Sequence, residues 1–512
     1  MLASACINSL FVTYYLEMFT TVAELHGSWF FLGQAVFMLW NMVNDPLFGW
    51  LTDRGYFSAR GASSTSTSVL SRRLGAIRSG GWLWAVAFMC VWWSPGPAYP
   101  TLTGLYSLAV LCFYDGMLSF VEVNHSALLA EIGSSDAERA EANMYAAVCA
   151  AVGSVSTFFS HIYWDAEKLV PFRLFCLAMA AVAVAGFEFT ARTLAADGDD
   201  AATAGGARVF AIDGNGPSLS GMAESPRLRR RAAPEEQLAP VADDDAPRGR
   251  GAGIGSSAGG ALSFGTFLSE MASSRNFRLF SLLNLLQIFD CTFEKNFLGL
   301  FLASYAGVGP AALSVHSQGL VISFAFVLPW ACTVFITPLV KRVGVYATVS
   351  RLLKLRVMVS LGGIAVALFT RRTSWYYLLV NRVTSELVCR LMPLVKCDLV
   401  DEDAYVHDRA GSLSAAVVGS TEIVGKAGQS LAPMLGIALF SFHGRAAGAG
   451  AGGADGGVAE GRMQLLAIAI AAIPLLVVCA QRAVWCSYSL HGEYLRTIKS
   501  AVASRRRLVA LA

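Results

Sequence analysis

Residues 41–55 read Asn-Met-Val-Asn-Asp-Pro-Leu-Phe-Gly-Trp-Leu-Thr-Asp-Arg-Gly and close an apolar run that begins near Trp29. Inside that run stand Asn41, Asn44 and Asp45, at a depth where a membrane holds little water. Steps of three and four residues put all three on one side of a helix. Pro46 follows and disturbs the local backbone ladder. An ionisable side chain inside a membrane-length segment is costly, so Asp45 reads first as functional; the alternative is a polar residue buried for helix packing.

Composition agrees with a membrane. Apolar residues are 55% of the 512, charged residues 15%, and the mean hydropathy is +0.52. A soluble domain carries roughly a quarter charged residues. A net charge of +3 gives no footprint for nucleic acid. Eleven cysteines are scattered without a C-x-x-C pair, so neither zinc nor a disulfide framework is indicated. Neither a phosphate-binding Gly-rich loop, H-E-x-x-H nor a nucleophile elbow occurs, which leaves an ATP-driven pump or an intramembrane hydrolase without support. The expectation is a protein that is not an enzyme and needs no cofactor or metal. A chain this long holds about twelve spans of roughly twenty residues.

Residues 1–20 carry one charge, Glu17, and lack a basic start or a small-residue cleavage site, so they read as a span and not as a signal peptide. Residues 1–190 form a first half. Residues 191–262 are rich in Ala, Gly, Asp, Pro and Arg and read as a disordered linker. Residues 263–490 form a second half, and 491–512 a basic tail. The loop at 53–78 carries Arg54, Arg60, Arg72, Arg73 and Arg78, which places it, both termini and the linker in the cytoplasm.

Further polar residues interrupt the apolar runs. Asp115 and Glu122 lie seven apart in a span at 102–129, on one face. Asp290 and Glu294, with Lys295 beside them, occur in a span at 279–302, either as an internal ion pair or as a proton or substrate site. Arg382, Glu386 and Arg390 step by four along a span at 375–395, an ion-pair ladder that must face a cavity or another helix. Glu422 and Lys426 make an i,i+4 pair in a span at 412–439. In the polar turn at 131–141, the stretch 131–139 is paralleled by 397–411, which supports an internal duplication.

The stretch N-D-P-L-F-G-W-L-T-D-R at 44–54 resembles the end of the second helix of major facilitator transporters. It is most similar to the branch of glycoside-pentoside-hexuronide:cation symporters, which includes the melibiose permease-like proteins, and within it to the orphan transmembrane protein 180 group. The resemblance implies an all-α membrane protein with the major facilitator fold, about twelve transmembrane helices in two six-helix halves. It puts Glu122 on the family's cation-and-substrate carboxylate, and Ile-Val-Gly-Lys-Ala-Gly-Gln at 423–429 on the segment whose lysine neighbours the cation site. Glu138-Arg139, and Asp398, Asp401, Glu402, Asp403 and Arg409, match its cytoplasmic loops. Four positions depart from the pattern. The sugar-site acid falls near Ala5, Asn124 replaces a proline, and Ala146 and Ala147, beside Tyr145, stand where an arginine contacts sugar. Asn41 replaces an aspartate, which weakens a sodium site and leaves a proton, or no coupling ion, in its place.

Residues and resemblance together nominate three sets. The cation site is Asp45, Asn41, Asn44, Glu122 and Lys426, with Asp45, Glu122 and Lys426 converging near the bundle centre. The substrate cavity is Asp115, Tyr145, Asp290, Glu294, Arg382, Glu386 and Arg390. The cytoplasmic gate is Asp53, Arg54, Glu138, Arg139, Asp401 and Arg409. Two functions remain open: a monomeric secondary transporter that moves a small solute, with a proton or sodium ion, across the lipid bilayer; or a transporter-fold protein that no longer transports and acts as receptor, scaffold or trafficking partner.

Overall fold

In hydrocarbon every backbone N–H and C=O must be satisfied internally, so apolar runs of this length become helices. The computed structural model describes residues 1–57, 69–132, 135–203, 262–305, 315–370, 375–409, 413–436 and 456–511. Most of the linker, and most of the Gly/Ala-rich stretch expected as an outer loop at 443–461, lie outside these residues.

The first half contains α1 (Leu2–Glu17), extended by a π-helical turn at Met18–Val22, α2 (Gly27–Asp53), α3 (Val69–Val91), α4 (Pro100–Ile132), α5 (Asp136–Ser154) with α6 (Ser156–Tyr163), and α7 (Leu169–Thr203). A short α8 (Phe264–Ser273) precedes the second half. That half contains α9 (Arg275–Tyr305), α10 (Val315–Val343), α11 (Val345–Thr370), α12 (Trp375–Val406), a broken helix, and α16 (Gly456–Ser487). The broken helix comprises α13 (Ser414–Ser420), α14 (Glu422–Gly425) and α15 (427–436). A tail helix α17 (Gly492–Leu511) follows. With α5–α6 and α13–α15 each taken as one crossing, each half has six.

Among the described residues eight helices are long and apolar enough to cross a membrane. The four crossings outside that set are α2, α9, α12 and α13–α15, which bring most of the buried charged and amide side chains to mid-depth. Polarity is therefore concentrated on a few helices. Phe335, Phe369, Leu476 and Met358 are instead largely exposed, as a lipid-facing surface requires.

One end of the bundle, here the linker end, gathers Asp53, the α4–α5 and α12–α13 turns, α8 and α17. A core shared by both halves lies there: Trp50, Ala130 and Ala140 pack with Phe267, Leu391 and Val417. Two other core clusters each belong to one half, around Tyr14, Trp84 and Phe172 in the first and around Phe293, Phe297 and Tyr377 in the second. The halves are thus sealed to each other at the linker end.

Glycine makes that seal tight. A Cβ on Gly49 of α2 would stand 2.2 Å from the Ala415 carbonyl oxygen of α13, and one on Gly419 would stand 2.4 Å from that of Asp45. The breaks in α13–α15 also follow from sequence. The Ser420 and Thr421 hydroxyls donate to the Ala416 and Val418 carbonyls at 2.7 and 2.6 Å, in competition with the backbone ladder. Gly425 and Gly428 follow, with Asn284 and Phe289 of α9 in the space of a side chain.

Three expected boundaries shift. Helix α3 begins at Val69, so Arg72, Arg73 and Arg78 are helical and not loop residues. Helix α7 continues to Thr203, thirteen residues into the segment expected as linker from 191. The last crossing starts at Gly456 and not near Met463.

Candidate functional site

The polar side of α2 meets α4 and α14 at mid-depth. Asn41, Asn44 and Asp45 are all buried on it, as their spacing predicts. Lys426, at the break between α14 and α15, turns away from its own half. Its Nζ lies 2.9 Å from Asp45 Oδ1 and 3.5 Å from Asp115 Oδ2, and it donates to the Ser119 hydroxyl. Asn44 Nδ2 donates to Asp115 at 2.8 Å. The Asn41 amide sits between Gln429 and Asp115, with its nitrogen suited to donate to Asp115. Two carboxylates face one ammonium, a formal sum of −1.

Glu122 is not in this cluster. It lies two turns along α4, half-buried, and makes no ion pair among the described residues. The convergence expected of Asp45, Glu122 and Lys426 is corrected to Asp45, Asp115 and Lys426. Asp115 faces α2 at the height of Lys426, whereas seven residues carry Glu122 about 10 Å along the axis. The expected Glu422–Lys426 pair also fails to form. Glu422 binds Lys396 of α12 and accepts from Asn284 of α9 at 3.1 Å, because the helix break parts the two side chains.

A second charged cluster fills the C-terminal half. Asp290 binds Arg356 of α11 and accepts from the Ser385 hydroxyl at 2.5 Å. Arg356 also donates to Gln481 of α16 at 2.9 Å. Glu294 accepts from Asn381 at 2.5 Å. Glu386 takes three cations: Arg382 at 2.6 Å, Arg390 at 2.5 Å and Lys295 at 2.9 Å. The ladder expected on α12 therefore exists, with Lys295 as a fourth member. Asp290 belongs instead to a core joining α9, α11, α12 and α16 inside one half. Tyr145 is separate: it is half-exposed, and its hydroxyl donates to Glu141, itself paired with Lys341.

Cys291, Cys389 and Glu386 place ligand atoms within 4.8 Å of one another. Glu386 already serves three cations, so a metal ion there would meet their repulsion; the donor set does not fit one.

The linker end is closed by pairs between the halves. Arg139 donates to Asp401 at 2.6 Å. Arg73, fully buried, binds Asp53 at 2.5 Å, Glu131 at 2.9 Å and the Ser414 hydroxyl at 3.0 Å. Asp53 also accepts from the Ala416 backbone N–H at 2.8 Å, and Ser414 binds Glu131. Sequence reasoning left Arg73 in an exposed loop; two acids and a serine on three other helices make its burial tolerable. Three residues expected in the gate lie elsewhere. Arg54 stacks on Trp50 at 4.5 Å, Glu138 is exposed on the first turn of α5, and Arg409 pairs with Asp403 and Glu270 at 2.7 and 2.9 Å within the second half.

No family model matches the chain. It is 30% identical over 525 residues to mouse transmembrane protein 180, covering 98% of this chain and 92% of that one. It is 30% identical over 446 residues to the chicken protein of the same name, covering 85% and 78%. Solved structures align over almost the full length. The fucose:proton symporter of Escherichia coli gives a TM-score of 0.53 at 13% identity, covering 95% of this chain and 96% of that one. A bacterial homologue of the iron transporter ferroportin, outward-facing with soaked iron, gives 0.56 at 11%, covering 96% and 97%. The human organic anion transporter MFSD10 gives 0.50 at 13%, covering 93% and 96%. At these identities the structures establish the fold alone: that of the major facilitators, in an integral multi-pass membrane protein.

Proposed function

As the chain belongs to the transmembrane protein 180 family and has the major facilitator fold, we propose that it is a secondary transporter moving a small solute by alternating access, coupled to a cation. One observation carries this reading: Asp45 and Asp115 share a single lysine at mid-depth, on the seam between the halves. One negative charge is left over, and a proton or a sodium ion would balance it. Protonating either acid, or placing an ion between them, weakens the hold on Lys426 and so loosens α14 from α2 and α4. The cation thereby gains leverage on the seam that alternating access must open. Asn41 offers an amide where a sodium site benefits from a third charge, which favours the proton.

The 44–54 motif and the lysine segment at 423–429 support placement near the melibiose permease-like branch. The Ala146–Ala147 stretch argues against a glycoside as the solute. The arginine bias of the linker end assigns that end, and both termini, to the cytoplasm. No covalent chemistry is proposed. A non-transporting receptor or scaffold draws on Glu386, whose three cationic partners leave little of its charge for a solute.

Uptake into proteoliposomes, screened over a solute panel with and without proton and sodium gradients, tests the proposal. Gradient-driven accumulation that disappears in Asp45→Asn, with the protein still folded and inserted, is the expected result. Normal accumulation in that variant overturns the coupling mechanism. No accumulation of any solute favours the non-transporting reading.

A further inference from the structure

At the linker end a cavity of about 370 Å³ lies where the start of α5, the α10–α11 turn and the α16–α17 elbow meet. Small-molecule sites span about 300–1,000 Å³. Its wall carries Arg139, Arg342, Arg496 and Lys499 against Asp136 and Asp398, four positive charges against two negative, a formal +2. Arg342 and Arg496 are exposed and form no ion pair among the described residues. Two buried donors on the same wall lack acceptors: the Tyr488 hydroxyl, on a residue only 2% exposed, and Arg139 Nε. Buried polar groups in proteins are nearly always paired, so unpaired donors beside unpaired cations call for acceptor oxygens from outside the chain.

We propose that this cavity binds a phosphate-bearing small anion, either a phosphorylated lipid headgroup or a soluble phosphate ester, and that the bound anion fastens the linker end shut. Arg139 belongs to the first half, Arg342 to the second, and Arg496 and Lys499 to the tail helix. A phosphate group accepting from several of them ties the two halves and the tail helix together, and guanidinium groups match its geometry. Lys499 already begins this: it binds Asp136 of the first half and, at 2.6 Å, Asp398 of the second. Burial disfavours its charge, but Asp398 and Asp136 outweigh that and hold the ammonium above its ordinary range, so it stays positive at physiological pH.

The test uses the full chain, in detergent and in phosphatidylcholine nanodiscs with or without phosphatidylinositol bisphosphate, and inositol trisphosphate as the soluble probe. The probe should raise the unfolding midpoint saturably. The double variant Arg342→Ala/Arg496→Ala, which breaks no pair within the protein, should bind about tenfold or more weakly, the loss expected for charged hydrogen bonds. Tyr488→Phe keeps the shape and removes the orphan hydroxyl; it should weaken binding and leave the unliganded midpoint unchanged or higher. Loss of probe binding in the phosphoinositide discs assigns the site to lipid, and undiminished probe binding there assigns it to a soluble ester. Neither probe nor lipid shifting the midpoint overturns the proposal, as does binding unmoved in the double variant.

Discussion

Lys426 Nζ stands 2.9 Å from Asp45 Oδ1, joining residues 381 positions apart across the seam between the halves. Both side chains are buried, so neither charge has water to fall back on. Lys426→Gln leaves Asp45 and Asp115 facing each other without a counter-charge and should cost about 3–5 kcal/mol of stability. Asp45→Asn combined with Lys426→Gln should recover part of that loss, since only one acid then remains. Thermal unfolding of the purified variants checks the order; a double variant no more stable than Lys426→Gln alone would show that the pair does not couple.

Asp115 and Glu122 give a sharper contrast. Asp115 bonds to Lys426, Asn44 and Ser119, whereas Glu122 touches none of them. In a transport assay Asp115→Asn should impair accumulation at least tenfold, and Glu122→Gln should leave coupling in place. The reverse outcome would return the coupling site to the position that the family resemblance implies.

Gly49 and Gly419 test the backbone seam. An added methyl at either lies inside the carbonyl of the opposite helix, so alanine should destabilise the closed linker end by about 1–3 kcal/mol through overpacking. Gly362→Ala is the control: nothing lies within 4 Å of the added carbon, and helix propensity should stabilise by about 0.5–1 kcal/mol. Thiol labelling of a cysteine at Ala415, buried in the seam, should quicken in the first two variants and not in the third.

Arg139 and Asp401 form a buried ion pair directly between the halves at that end. Asp401→Ala leaves a buried arginine without its main partner and should raise the same labelling rate; restoring a carboxylate with Asp401→Glu should bring much of the protection back. Arg409→Ala, which breaks bonds only within the second half, should change labelling far less. Equal effects of Arg409→Ala and Asp401→Ala would mean that local folding, not the seam, is being measured.

The parallel stretches at 131–139 and 401–409 show where reading the chain reaches its limit. Each places an acid eight residues before an arginine, and the duplication is legible in one dimension. Yet Arg139 crosses to Asp401, while Arg409 stays with Asp403 and Glu270. Which half an arginine reaches into depends on how the turns pack, and equal spacing carries no record of that.

The amino-acid sequence by itself determined that the chain lives in a membrane, that it has two halves of helical spans, and that α2, α4, α9, α12 and the crossing around Lys426 carry polar residues at membrane depth. Hydropathy and helical period decide those matters residue by residue, with no knowledge of neighbours. Only the tertiary structure decided the partners. Lys426 leaves Glu422, four residues away, for Asp45 and Asp115; Arg73 leaves a polar segment for Asp53, Glu131 and Ser414 at the closed linker end; Asp290 turns to Arg356 inside one half. A buried charge goes to whichever opposite charge lies within a few ångströms after packing, because removal from water makes an unmatched ion costly, and that distance is set by the fold and not by separation along the chain.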